Sequence, residues 1–154
     1  MAKRNHFNKI EMALIKTFIY EIDPCIEVFR GRCYEVDIDE EKIFLGNKRF
    51  DRISKIFIEH WQPYFQNINI NWCVLSILHE VGHIMTATDE IRDNRFLLDN
   101  IYSFLYSENA INELEYFNSY FDIPAEYDAT LWGINYYIQN KEKCDKLAKQ
   151  LGVF

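Results

Sequence analysis

The stretch WCVLSILHEVGHIM, residues 72–85, constrains this chain more than any other part of it. It holds no proline, and its apolar residues would fall on almost every side of a helix. A helix that is apolar all round is a buried one. Two histidines and a glutamate stand inside it, and burying such groups costs several kcal/mol unless they are paired or bind a metal. Residues four apart on a helix share a face, so His79 and His83 point the same way. Two imidazoles so placed can bind one Zn2+, with bonds of about 2.0–2.1 Å. Glu80 can then reach a water activated by the metal, take its proton and later return it to a leaving amine. Chance alone produces HExxH in roughly one chain in a hundred of this length, so the buried setting supplies much of its weight. The competing explanation is a buried His pair satisfied by neighbouring side chains. Gly82 lies within the same helix, where it costs about 1 kcal/mol relative to alanine; that cost is explained if a strand or a side chain must approach closely.

The chain has 154 residues, which fits one domain spanning 1–154, long enough to bury roughly two-thirds of its unfolded surface. Hydrophobic residues make up 49% and aromatics 16%, too many for a disordered chain. The net charge is −7, and the one basic cluster is Lys3 and Arg4 with Lys9 nearby. Direct nucleic-acid binding is therefore not expected. Cys25, Cys33, Cys73 and Cys144 form no CxxC pair and no disulfide framework, which fits a reducing compartment. The N-terminus has no signal-type apolar run, and no window approaches the roughly 18 apolar residues of a membrane span. The expected setting is the cytoplasm, with no membrane partner.

Apolar spacing predicts a first helix over 7–20 through Phe7, Ile10, Leu14, Phe18 and Ile19, ended by Pro24. Residues 26–45 read as two or three short strands, broken at Gly31 and at the acidic turn Asp39–Glu41. A second helix begins at Asp51, which can cap it. Pro63 and Asn67, Asn69 and Asn71 form a loop before the helix of residues 72–86. Two helical stretches follow, 93–107 and 109–121. Another opens at Pro124 with Asp122 near its cap and runs to about Asn140. A terminal helix from Lys141 closes at Gly152, its lysines and acids forming a solvated face. The order is that of an α+β fold, mostly helical after the sheet.

A catalytic zinc needs a third protein ligand and an open position. Glu126, in IPAEYDATLWGINYY, lies near the start of a helix whose Leu131, Ile134 and Ile138 form an apolar face. Thr130 shares the face of Glu126 and can support that ligand or a histidine N–H. Asp128 falls off that face, and is either exposed or the ligand instead. Asp89, six residues after His83, is the third candidate, but its spacing wants glycine where Thr86 stands. The oxyanion of the reaction also needs a partner, for which His60, Tyr127, Tyr136 and Tyr137 are available. The stripe Ile101, Phe104, Leu105, Ile111, Leu114 and Phe117 reads as packing rather than a groove.

HEVGH, followed by a helix opening Ala125-Glu126-Tyr127-Asp128-Ala129, resembles the ImmA/IrrE group of metallopeptidases, and more broadly the gluzincins. The segment Lys42-Ile43-Phe44-Leu45-Gly46 is similar to part of that group's small sheet. The resemblance implies a zincin-like fold with a small sheet and a helical bundle around the HExxH helix. It implies a third zinc ligand from a glutamate on the later helix, here Glu126. It also implies an edge strand at residues 42–46 along which a peptide lies. In that group Glu-x-Glu-Ala is often followed by Asp or Asn, where this chain has Thr130, and Glu126 comes 43 residues after His83, a long gap. Such proteins are often encoded by phages or mobile elements, and some cleave transcriptional repressors.

The expectation is thus a zinc peptidase acting on a protein or peptide. His79, His83 and Glu126 are its ligands and Glu80 its base. An acidic chain would favour basic segments. The rival is an idle zincin-like protein that works by docking to a partner, for which Glu80 would be unnecessary. A structural zinc site would more often have four ligands and be rich in cysteine. The sequence leaves the oligomeric state open.

Overall fold

The structure, a computed structural model, describes residues 6–87 and 113–153. Helix α1 covers Lys9–Ile22, followed by strands β1 Glu27–Arg30, β2 Glu35–Asp37 and β3 Lys42–Leu45. Helix α2 is Arg52–Trp61, ending in a 3-10 turn, and α3 is Trp72–Met85. Helix α4 is Glu113–Phe121, α5 is Pro124–Gln139 and α6 is Lys141–Leu151. Among the described residues this is an α+β arrangement of six α-helices and one three-stranded mixed sheet.

The capping chemistry explains the helix starts. Asn8 and Glu11 form a reciprocal capping box on α1, each satisfying an otherwise orphaned N–H. The helix therefore begins at Lys9, not residue 7; Phe7 is buried ahead of it, while Ile10 faces solvent. Asp51 caps α2 by accepting from Ser54 N at 2.9 Å. Asn71 caps α3, its Oδ1 accepting from Cys73 N and Val74 N at 2.9 and 3.1 Å. Pro124 opens α5 as expected, but the cap position is Ile123 and carries no side-chain bond. Asp122 accepts instead from His60 Nε2 at 3.1 Å. Gly152, at φ 66°, closes α6 in the left-handed conformation.

The sheet order is β1-β3-β2, with β1 parallel and β2 antiparallel to β3. Val28 and Val36 both stand opposite Ile43. This corrects the expectation that residues 42–46 form an edge. Strand β3 is central, its N–H and C=O groups are used on both sides, and a peptide cannot pair with it. The open edges belong to β1 and β2.

Helix α3 runs through the core. Val74, Leu75, Ile77, Leu78 and Val81 are each fully buried, and each contributes about 1.5–3 kcal/mol relative to exposure. Its main partner is α5. The two backbones meet at Gly82, where a Cβ atom would lie 2.2 Å from the carbonyl oxygen of Ala129. The neighbour that needs this glycine is thus the backbone of a helix, not a strand or a side chain. At Gly133, on α5, a Cβ would lie 3.2–3.4 Å from atoms of Leu78 and Leu75. The opposite end of α5 is tied down as well: the Tyr137 hydroxyl accepts from Asn71 N at 3.2 Å and donates to Asp145 at 2.6 Å.

Gly82→Ala is expected to lower stability by about 1–3 kcal/mol, because pushing α5 away outweighs the roughly 1 kcal/mol that alanine gains in helix propensity. Gly133→Ala, with looser surroundings, should cost less. Urea denaturation of the three proteins checks this. A Gly82→Ala protein as stable as the parent would show that the two helices do not touch there.

Candidate metal centre

The close approach of α3 and α5 sets the site. His79 and His83 flank Gly82 on α3, and Glu126 lies one turn before Ala129 and Thr130 on α5. As a result His79 Nε2 and His83 Nε2 lie 2.8 and 3.0 Å from Glu126 Oε2, and 3.1 Å from each other. The two rings stand nearly perpendicular, at 83°. His83 and Glu126 are each 3% exposed, so the group sits inside the protein with His79 on its open side.

Proton bookkeeping fixes the His79 tautomer. The Thr130 hydroxyl donates to the carbonyl oxygen of Glu126 at 3.0 Å. Its single proton is then committed, so at 2.6 Å it accepts from His79 Nδ1–H. The lone pair of neutral His79 lies on Nε2, facing the other two atoms, as a metal-binding imidazole requires. Phe57 of α2 meets the His79 ring edge-on, with centroids 5.9 Å apart.

Burial alone would raise the Glu126 carboxyl; with no metal between them, His79 and His83 in their protonated form hydrogen-bond to it and, with their charge, hold it well below the usual carboxylate range. Its second oxygen, Oε1, accepts from the Tyr120 hydroxyl at 3.2 Å. One carboxylate oxygen is thereby held by α4 while the other faces the histidines.

These three residues could hold a metal ion. Their donor set, two imidazole nitrogens and one carboxylate oxygen, suits Zn2+. A tetrahedral ion with bonds of about 2.0–2.1 Å needs ligand atoms about 3.3 Å apart, so the three atoms need only small outward shifts. Three such atoms converging leave one place for a cation, and without one a proton must lie between them.

Glu80 is 6% exposed and, with His79, lines a cleft of about 560 Å³. Tyr120, Phe57, Phe117 and Phe121 form part of its wall. Phe117 therefore faces the groove as well as packing on the core; the residues of that stripe from Ile101 to Ile111, and Asp89, lie outside the described residues. Asp128 is exposed and does not join the group. His60 joins α2 to α4 through Asn118 at 2.8 Å and Asp122, using both ring nitrogens away from the cluster. Tyr137 is a fully buried core residue, and Tyr127 packs near Trp61. Sequence reasoning missed Tyr120, since no pattern among ten tyrosines singles it out.

Glu126→Ala is expected to lose the metal that the parent protein retains after gel filtration, while Asp128→Ala keeps it. Thr130→Val, which leaves His79 Nδ1–H without its acceptor, should weaken metal binding about 10–100-fold. Competition with a chromophoric chelator measures all three. Full metal retention by Glu126→Ala would exclude it as a ligand. The chain matches no known family model, no curated protein and no solved structure.

Proposed function

We propose that this chain is a zinc-dependent peptidase of the zincin type, similar to the ImmA/IrrE group, acting on a protein or peptide. The observation that carries the reading is the convergence of His79, His83 and Glu126 within 3.1 Å of one another, beside a glutamate on the wall of an open cleft. When bound, zinc lowers the pKa of water and polarises a carbonyl oxygen.

The chain's own residues supply the rest. Thr130 holds His79 in the tautomer that presents Nε2. Tyr120 holds Oε1 of the Glu126 carboxylate, which leaves Oε2 facing the two histidines. Glu80 receives the proton of the attacking water and delivers it to the departing amine nitrogen. It stands next to His79 in sequence and shares the cleft with it, so the proton moves over a short path. A helix buried along most of its length, with Ser76, His79 and Glu80 turned to the cleft, keeps these groups fixed while the substrate comes from that side, which favours reaction over rearrangement.

The surroundings agree with a cytoplasmic enzyme in one respect: all four cysteines are unpaired, Cys25 and Cys33 at the surface and Cys73 and Cys144 buried, as a reducing compartment allows. Among the described residues no helix is long and apolar enough to cross a membrane.

Glu80→Gln tests the reading. The variant should keep its zinc and lose about 10²–10⁴-fold in cleavage of a fluorescence-quenched peptide library. Equal cleavage by both proteins would remove Glu80 from the chemistry. Absence of cleavage by the zinc-loaded parent would favour a protein that acts by docking.

A further inference from the structure

The rim of the cleft carries a charge pattern that the catalytic residues do not use. Two loops form it. Residues 31–34 follow β1 and residues 46–49 follow β3, and they are bound to each other. Gly31 N donates to Leu45 O at 2.8 Å. The Tyr34 ring lies against Gly46, where a Cβ would be 2.8 Å from it, and its hydroxyl donates to the Asn47 carbonyl at 3.0 Å. Asn47 Oδ1 in turn accepts from Arg49 N at 2.9 Å. The result brings Arg32 and Arg49 to the lining of one cleft.

Both arginines are exposed, and among the described residues neither has a carboxylate within salt-bridge distance. Two acids also line the cleft, Asp51 and Glu80. Asp51 is occupied at the start of α2, accepting from Ser54 N and Ser54 Oγ at 2.9 and 3.0 Å. The remaining lining is mainly aromatic, including Phe57, Trp72, Phe117 and Phe121.

We infer that the cleft takes a peptide segment bearing a carboxylate near a large apolar side chain, with Arg32 and Arg49 receiving the carboxylate. The inference rests on the peptidase reading for the peptide nature of the occupant. The net charge of −7 attracts basic molecules at long range, but that field is screened within about 10 Å at ordinary salt. The rim acts at contact distance, where a guanidinium fork matches a carboxylate. The carboxylate can come from an acidic side chain or from a chain terminus.

Four fluorescein-labelled peptides with a Gly/Ser frame and a central Phe test it against zinc-loaded Glu80→Gln protein. The first has Glu two residues from Phe and an amidated end; the second has Gln there and an amidated end. The third has Gln and a free C-terminal carboxylate two residues from Phe; the fourth has Lys and an amidated end. The first or the third should bind about five- to tenfold more tightly than the second, as two exposed charge pairs allow. Which of the two leads identifies the carboxylate's source. The Lys peptide should bind most weakly. In the Arg32→Ala/Arg49→Ala background, with zinc content unchanged, the preference should disappear, and in the parent background it should shrink with added salt. Equal binding of all four, no binding of any, or a preference that survives loss of both arginines would overturn the inference. Binding with the expected preference, but no cleavage by the zinc-loaded parent, would sink the peptidase reading alone.

Discussion

Everything around the candidate centre depends on how closely two helices can approach. At Gly82 the α3 backbone lies against the Ala129 carbonyl, a separation that no side chain permits. Because His79 and His83 sit on either side of that glycine, and Glu126 and Thr130 on either side of Ala129, one contact sets four positions. A wider spacing would carry Glu126 away from both imidazoles and Thr130 away from His79 at once. The glycine thus has an energetic cost in helix propensity and a structural return in the position of the carboxylate.

That carboxylate is a costly group to bury. An ion that is 3% exposed is tolerated only with excellent partners. Glu126 has them on both oxygens, two imidazoles on Oε2 and the Tyr120 hydroxyl on Oε1. The partners come from two helices, α3 and α4, while Glu126 itself stands on α5, so the burial of one charge couples the orientation of all three. The Thr130 hydroxyl extends the chain of bonds from the Glu126 carbonyl to His79. Thr130 both donates and accepts in that chain, which leaves the His79 ring little freedom to flip.

The parts of this arrangement that were legible in the sequence are those set by local pattern. The apolar run of α3, the Asp51 cap, Pro124 at the start of α5 and Gly152 at the end of α6 all follow from spacing and backbone chemistry. A supporting role for Thr130, toward the Glu126 ligand or a histidine N–H, was legible because residues four apart on a helix share a face; that it is His79 was not. What was not legible required partners remote in the chain. Strand order is one case: residues 27–45 look alike as strands, and nothing local makes β3 central. The Gly82 contact is another, since the sequence announces a need for space but not what fills it. Asp122 looked like a cap and serves His60 instead, because a side chain near a helix start has more than one donor within reach. Tyr120 depends wholly on how α4 meets α5.

The central position of β3 changes where a peptide would be recognised. With both of its sides paired, backbone pairing is left to the outer edges of β1 and β2, and of these β2 lies against α3. Strand β2 has three residues, too few to hold an extended chain by backbone bonds alone. On the proposed reading recognition then falls largely to side chains, and the cationic ones that reach the cleft come from the loops before β2 and after β3. Those loops carry Arg32, Tyr34 and Arg49, and Tyr34 joins them to each other. On the proposed reading, selectivity and chemistry are therefore built on separate supports. The helices hold the buried ligand cluster, and the loops at the end of the sheet hold the groups that choose what reaches it.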